Sequence, residues 1–187
     1  MLRVNEIFYS LQGEGYYTGM PAVFLRLSGC NMNCSFCDTD HSPYIEMSTG
    51  EIIEEINRFP SKHIVITGGE PALQLTNSFI EELHKHDFYI QVETNGTLQL
   101  PEKIDWITCS PKSEKAALKR VNEIKIIYDG EKPIFIPEVE AEIYCLQPLD
   151  CGDKKKNQDI LQATIEYILK NPQWRLSLQT HKLLDIK

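Results

Sequence analysis

Three cysteines, Cys30, Cys34 and Cys37, lie close together in the stretch SGCNMNCSFCDTD, in a chain with six cysteines in all. Thiolates bind zinc tightly, and closely spaced thiolates hold iron–sulfur clusters, normally four to a cluster. Glycine and asparagine, which surround these cysteines, favour turns over helix. The spacing therefore predicts a loop that can wrap around an ion or a cluster.

Three interpretations of this cysteine loop are open. Free cysteines often serve as small buried packing residues, but a polar loop has little core to fill. A structural zinc ion would need a fourth ligand such as His41, although paired CxxC motifs are absent. A [4Fe–4S] cluster held by three thiolates would leave one iron open for a small molecule.

The composition is that of an ordinary globular protein of 187 residues, and its length predicts a single domain over residues 1–187. The absence of an apolar run of about 18 residues predicts no transmembrane helix. A formal charge of −8 excludes the basic footprint that nucleic-acid binding needs. The basic run Lys154–Lys156 is predicted to be a solvated loop.

The expected cellular location affects which role the cysteines can have. The N-terminal MLRVNEIFYS has no signal-peptide pattern, so we expect a cytoplasmic protein, in which structural disulfides are rare. Clustered cysteines in that setting indicate a metal, a cofactor or catalysis. Cys109 and Cys145, which end apolar runs, are expected to be small core residues.

Short β-branched runs alternate with amphipathic helical patterns along the chain. The alternation predicts an α/β fold with a parallel sheet and covering helices. A closed eight-unit barrel needs roughly 250 residues, so we expect an open, incomplete (β/α) barrel. Strands are predicted over 6–11, 22–27, 63–67, 88–93, 105–109, 123–128, 142–147 and 174–178. Helices are predicted over 48–59, 75–86, 157–171 and, more weakly, 113–121.

Polar segments directly follow five of these strands. Since the carboxyl ends of parallel strands meet at one edge of a sheet, these segments are expected to ring one pocket. They are TGGEP (67–71), ETNGT (93–97), SPK (110–112), QPLD (147–150) and QTHK (179–182).

The motifs resemble those of a known enzyme group. CxxxCxxC, with Phe36 before its last cysteine, resembles the cluster motif of the radical S-adenosylmethionine (SAM) superfamily, and GGEP at 68–71 resembles its motif for the SAM amino group. Residues 6–40 resemble the N-terminal region of the 7-carboxy-7-deazaguanine synthase family almost throughout. TGGEP, ETNGT, SPK and LQP match that family in order, and the superfamily fold is a full or partial (β/α) barrel.

The resemblance implies a reaction. A [4Fe–4S] cluster on Cys30, Cys34 and Cys37 would bind SAM and cleave it reductively. The resulting 5′-deoxyadenosyl radical would take a hydrogen from 6-carboxy-5,6,7,8-tetrahydropterin, which contracts and loses ammonia to give 7-carboxy-7-deazaguanine, the 7-deazapurine of queuosine-type biosynthesis. The family also implies Mg²⁺, a flavodoxin- or ferredoxin-like reductant and a homodimer.

The resemblance also assigns roles residue by residue, with Thr39 as the Mg²⁺ ligand. The SAM contacts it implies are Phe36, Asp38, Gly69, Glu70, Ser110, Pro111, Lys112, Gln147, Pro148, Leu149 and Asp150. The pterin contacts it implies are Leu11, Gln12, Gly13, Glu14, Arg26, Thr67, His181 and Lys187.

Structural alternatives accompany these roles. Residues 11–14 could be a surface turn and Thr39 a loop turn, Arg26 could form an internal salt bridge, the residues at strand ends could be caps, and His181 could be purely structural.

Two other functions compete. A glycyl-radical-enzyme activase also uses CxxxCxxC in a small partial barrel but acts on a protein loop; SLQGEG and CDT favour the pterin enzyme. A non-catalytic iron–sulfur or zinc module would need neither GGEP nor a ring of polar strand ends.

Overall fold

Nine strands in the described part of the chain form one sheet. The structure is a computed structural model that describes residues 1–35, 37, 39–112 and 116–187. The strands are β1 (Leu2–Leu11), β2 (Pro21–Leu27), β3 (Ile45–Met47), β4 (His63–Gly68), β5 (Tyr89–Thr94), β6 (Trp106–Cys109), β7 (Arg120–Tyr128), β8 (Glu140–Pro148) and β9 (Trp174–Leu176).

Helices connect some of the strands. The described α-helices are α1 (Thr49–Ile56), α2 (Asn77–Lys85), α3 (Lys154–Lys170) and α4 (Thr180–Leu184), and a 3₁₀ turn spans Pro71–Leu73. Ser48 caps α1 through a reciprocal bond with Glu51, as their spacing predicts. No helix in the described ranges is long and apolar enough to cross a membrane.

The strand order is β3-β1-β2-β4-β5-β6-β7-β8-β9. From β2 onward each neighbour is parallel, whereas β1 is antiparallel to both β2 and β3. The sheet ends at β3 on one side and β9 on the other and does not close. The predicted α/β class and open, incomplete barrel are therefore confirmed, with an antiparallel edge that the sequence patterns did not predict.

The predicted helix over 113–121 is wrong where the structure describes it. Residues 116–119 are irregular, and β7 begins at Arg120. Leu118 and Val121 are buried in the sheet core, and Val121 pairs with Ala141 of β8. Burial against the sheet overrides the helix propensity of the segment. Residues 113–115 lie outside the described ranges.

Helices α1 and α2 cover the outer face of the sheet. Their buried side chains, such as Ile52 and Ile80, pack on Leu25, Ile66 and Ile90 of β2, β4 and β5. Alternate residues of the same strands point to the other, inner face. Near the start of the strands this inner face is apolar, with Phe24 of β2 among Phe8, Ala22 and Val65.

Further along the strands the inner face becomes polar. Arg26 pairs in register with Thr67, and Glu93 pairs with Thr108. Lys125 of β7 is next to Cys145 of β8. Since paired residues in neighbouring strands share a face, the register brings charged side chains from β2, β5 and β7 to the carboxyl end of the inner face.

Two smaller expectations can also be compared with the fold. Cys109 and Cys145 are buried, which confirms them as core residues. Lys154–Lys156 is exposed but forms the first turn of α3, so the predicted loop is wrong. The Asp153 carboxylate caps this helix by accepting hydrogen bonds from the backbone amides of Lys155 and Lys156.

Candidate active site

Two adjoining cavities lie at the carboxyl end of the inner face. The first has a volume of about 240 Å³ and the second of about 190 Å³. The first is lined by all three clustered cysteines and by most of the predicted SAM contacts: Cys30, Cys34, Cys37, Gly69, Ser110, Lys112, Gln147, Pro148, Leu149 and Asp150.

Two predicted SAM contacts in the described residues do not line the first cavity. Glu70 and Pro111 are not among the residues that line the first cavity. Phe36 and Asp38 lie outside the described residues.

The cysteine loop suits a polynuclear cluster better than a single ion. Cys30, Cys34 and Cys37 line one cavity. One zinc ion would draw its sulfur ligands to about 2.3 Å from a single point, whereas the thiolates of a cluster bind different irons. His41, the candidate fourth zinc ligand, does not line the cavity. The donor set therefore fits a [4Fe–4S] cluster.

The backbone of the cysteine loop packs on the turn after β4. The Glu70 amide donates to the Gly29 carbonyl oxygen at 2.9 Å, and the Gly69 amide donates to that of Leu27 at 3.1 Å. A side chain on Gly69 would overlap the Gly29 carbonyl, so only glycine allows this approach. Burial raises the pKa of the Cys30 thiol.

Glu70 is a structural anchor for the neighbouring loops. Its carboxylate is fully buried and accepts hydrogen bonds from the Ala72 amide at 3.0 Å, the Thr94 hydroxyl at 2.7 Å and the Asn95 amide at 2.7 Å. The side chain thus ties the β4 turn to the end of β5 and shapes the cavity wall from behind.

The second cavity gathers residues from the two ends of the chain. The loop between β1 and β2 and the C-terminal segment meet there with the inner face of β2, β4 and β5. Every predicted pterin contact lines it: Leu11, Gln12, Gly13, Glu14, Arg26, Thr67, His181 and Lys187.

The Arg26 side chain contacts both Glu6 and Thr39, the predicted Mg²⁺ ligand. Its Nε donates to Glu6 at 2.9 Å, which is the internal ion pair that the sequence left open. Its Nη1 lies 3.4 Å from the Thr39 hydroxyl, so the predicted carboxylate-binding cation adjoins the predicted Mg²⁺ ligand. Lys187 also pairs with Glu6, at 2.6 Å, and brings the C-terminus to the same corner.

The C-terminal segment forms one side of the second cavity. Thr180, the first residue of α4, donates through its amide and its hydroxyl to the Gly13 carbonyl, at 2.9 and 2.8 Å. A side chain on Gly13 would overlap the His181 ring, so the loop and the helix touch directly. Lys182 pairs with Asp150 at 2.9 Å and joins α4 to the end of β8.

A buried ion triad forms the wall between the cavities. The Lys125 ammonium contacts Glu14 at 2.5 Å and Glu93 at 2.9 Å, with 5% of the lysine side chain exposed. Burial alone would raise the pKa of Glu14, but the charge of Lys125 overrides it and lowers that pKa to about 2. Burial would lower the pKa of Lys125, but the two carboxylates raise it above its usual value. Five residues line both cavities: Glu14, Thr39, Thr67, Gly68 and Glu93.

Sequence reasoning missed Lys125 as a site residue. The signal was present, because a single cation stands inside the apolar strand EIKIIY, as Arg26 does inside AVFLRL. Only the fold shows that the partners of Lys125 are carboxylates from residues 111 and 32 positions away. Burial and the nearby charge of Lys125 also lower the pKa of Lys112 in the first cavity.

Comparisons with known proteins agree with this arrangement. The sequence model of the Radical SAM superfamily matches residues 25–108. A 7-carboxy-7-deazaguanine synthase from Bacteroides thetaiotaomicron is 47% identical over 188 residues, covering 100% of both chains. The synthase of the same name from Haemophilus influenzae is 39% identical, covering 98% of this chain and 93% of that one.

A solved structure gives the same result for the fold. The crystal structure of QueE from Escherichia coli matches with a TM-score of 0.76 and 29% sequence identity, covering 95% of this chain and 93% of that chain. The chain belongs to the 7-carboxy-7-deazaguanine synthase family of radical SAM enzymes.

Proposed function

We propose that this protein converts 6-carboxy-5,6,7,8-tetrahydropterin into 7-carboxy-7-deazaguanine with loss of ammonia, as a step in 7-deazapurine biosynthesis. The observation that carries the proposal is the pair of adjoining cavities. One is lined by three thiols and the other by polar groups that suit a small charged heterocycle. Family membership supports the same reaction.

The first cavity would hold the cofactors. Cys30, Cys34 and Cys37 would ligate a [4Fe–4S] cluster, and the cluster and SAM together would supply a carbon radical for hydrogen abstraction. Gly69 allows close approach of the SAM amino group to the backbone. Lys112, half-buried in the wall of the same cavity, suits the SAM carboxylate. The remaining contacts proposed for SAM are Phe36, Asp38, Glu70, Ser110, Pro111, Gln147, Pro148, Leu149 and Asp150.

The second cavity would hold the pterin beside the SAM site. The guanidinium of Arg26 would bind the substrate carboxylate, and Thr39 would contribute one oxygen to a Mg²⁺ ion that substrate and water otherwise coordinate. Gln12, Glu14 and Thr67 would pair with the polar edge of the ring. His181, Lys187 and the backbone of Leu11 and Gly13 would enclose it and keep water out.

The proposed reaction needs an electron donor, and the proposal extends to a homodimer in the cytoplasm. A flavodoxin- or ferredoxin-like protein would supply the electron, and two copies of the chain would form a homodimer. A cytoplasmic location suits the six cysteines, all of which are free.

The reaction can be tested with anaerobically purified, cluster-reconstituted protein. SAM, a reductant, Mg²⁺ and the carboxytetrahydropterin are added, and the product is measured by mass spectrometry. We expect 7-carboxy-7-deazaguanine from the wild type. Cys34→Ala should lose cluster and product together, whereas Cys151→Ala, an exposed cysteine outside both cavities, should keep both.

Two negative results of this experiment would contradict different parts of the proposal. An intact cluster that cleaves SAM without forming the product would contradict the pterin reaction but leave the radical SAM class standing. A colourless, zinc-loaded protein would contradict both. Thr39→Ala should keep the cluster and need more Mg²⁺; an unchanged Mg²⁺ response would remove Thr39 from the metal site.

A further inference from the structure

Lys125 has a place in the site that neither the sequence motifs nor the proposed ligand contacts explain. It lines the first cavity but not the second. Its two partners, Glu14 and Glu93, line both cavities. The lysine therefore reaches the second cavity only through the carboxylates that it contacts.

The hydrogen bonds around the triad orient both carboxylates. Each uses Oε2 for Lys125 and Oε1 for a glutamine amide. Glu93 accepts from Gln12 at 2.9 Å, and Glu14 accepts from Gln179 at 2.9 Å. The side-chain oxygen Oε1 of Gln12 in turn accepts from the backbone amide of Glu14 at 3.3 Å. The network joins the β1–β2 loop, β5, β7 and the residue before α4.

The charge of the network limits what it can bind. One lysine and two glutamates carry a net charge of −1, and an ionised carboxylate only accepts hydrogen bonds. Each carboxylate oxygen accepts one bond from Lys125 or from a glutamine amide, and its second lone pair can accept another. Without the lysine the two carboxylates repel each other, which favours proton uptake by one of them, and a protonated carboxyl group donates a hydrogen bond.

We propose that Lys125 is a positioning residue for the substrate: it holds Glu14 and Glu93 as two ionised acceptors on the second cavity and, through Glu93, orients the Gln12 amide. The inference rests on the proposed function, because it takes the occupant of that cavity to be a heterocycle with an N–H donor edge. Lys125 thereby selects for ligands whose ring edge donates hydrogen bonds.

Steady-state kinetics of Lys125→Met test this role. The pterin should lose a hydrogen bond to an ionised acceptor in this variant, which should raise the KM for the pterin about 10-fold or more. The KM for SAM, the iron content and the SAM-dependent change in the cluster spectrum should stay at wild-type values. Lys125→Arg, which keeps the charge, should recover most of the pterin affinity. Lys85→Met, which removes an exposed lysine paired with Glu82, is the matched control.

A second readout needs neither substrate nor cluster. In protein labelled with ¹³C at the glutamate carboxyl carbons, the Glu14 signal should not titrate above pH 5 in the wild type, because Lys125 lowers its pKa. In Lys125→Met the same signal should titrate at a higher pH than in the wild type. His181 on α4 and Lys112 in the first cavity also face this network electrostatically, but the carboxyl carbon signal separates the glutamates from both.

Failure of the proposed function and failure of the positioning role of Lys125 give different results. A wild type with no activity on the pterin contradicts the proposed function, and the carboxyl titration still decides the role of Lys125. A pterin KM within about twofold of wild type in Lys125→Met, or an equal rise in the KM for SAM, overturns the positioning role.

A charge-balanced variant covers the case in which Lys125→Met does not fold. Lys125→Met/Glu93→Gln carries the same net charge as the native triad and so removes the repulsion. It should still show a raised pterin KM with a normal KM for SAM. A wild-type pterin KM in this variant would overturn the proposal.

Discussion

At the scale of single residues, the site depends on side chains whose partners come from distant parts of the chain. Glu70 illustrates this, because its buried carboxylate holds groups from the β4 turn and from the end of β5. A carboxylate with three donors is well satisfied, whereas donors that lose their acceptor inside a protein are costly. The resemblance assigns Glu70 to SAM, and its hydrogen bonds add a structural role behind the cavity.

Glu70→Ala should therefore reduce stability as well as activity. Two backbone amides and one hydroxyl lose their acceptor, and each buried unsatisfied group costs about 1–3 kcal/mol, so we expect the free energy of unfolding to fall by about 3 kcal/mol or more. Urea denaturation of the cluster-free protein measures this. Glu138→Ala, at an exposed position, should stay within about 0.5 kcal/mol of wild type. Equal stability of the two variants would mean that Glu70 contributes nothing to the loops.

At the scale of elements, the site is made by loops that pack on one another at the ends of rigid strands. The cysteine loop lies against the turn after β4, and the β1–β2 loop lies against α4. Strands β2, β4 and β5 are buried on both faces, so their ends are well defined. Loops that lack regular hydrogen bonds are held in place by these contacts with neighbouring elements.

Gly69→Ala tests the contact between the cysteine loop and the β4 turn. The added methyl group would push against the Gly29 carbonyl, and overpacking of this kind costs about 1–3 kcal/mol. The strain acts next to Cys30, so we expect the iron content after reconstitution to fall by more than half.

The control for this variant is Gly50→Ala in α1. No atom lies within 4 Å of the added methyl group there, and alanine should raise helix stability by up to about 1 kcal/mol. Full iron content in Gly69→Ala would show that the loop can move without losing its cluster.

At the scale of the whole molecule, ion pairs join the two ends of the chain to each other and the β1–β2 loop to the centre of the sheet. Glu6 near the N-terminus pairs with Lys187, and Glu14 pairs with Lys125 in β7. The first of these is exposed and contributes little, whereas the second is buried and strongly shifted. The pH dependence of stability should therefore report on the buried triad.

Acidification should lower the free energy of unfolding, because Glu14 takes up a proton at low pH and loses its ion pair with Lys125. Its pKa falls from a usual value of about 4.3 in the unfolded chain to about 2 in the fold. The stabilisation from this shift is fully present above about pH 4.3 and is lost as the pH falls towards 2. It amounts to about 2–3 kcal/mol.

Unfolding of the cluster-free protein in denaturant from pH 5 to pH 2 measures the effect. Glu14→Gln should be less stable than wild type at pH 5 and should show a shallower loss of stability on acidification. Glu138→Gln, at an exposed site, should keep the wild-type slope. An unchanged slope in Glu14→Gln would mean that the carboxylate does not retain its charge to low pH.

Much of the architecture follows from the sequence alone. Each of the eight predicted strands overlaps a strand of the sheet, and the three strongly periodic helical patterns are α1, α2 and α3. Those elements have clear periodicity because each buries one face. Strand β3 is too short and exposed to show an alternating hydrophobic pattern. In segment 116–121, burial against the sheet outweighs the helix propensity of the residues.

The sequence by itself also determined the ligand types: three thiols in a loop, an arginine in an apolar strand, and polar segments after strands. Only the tertiary structure decided which of them share a cavity. Hydrogen-bonded register and loop packing bring Lys125 to carboxylates that are far away along the chain, and the local sequence does not encode such distances. Residue type is a property of the chain, whereas the partner of a buried charge is a property of the fold.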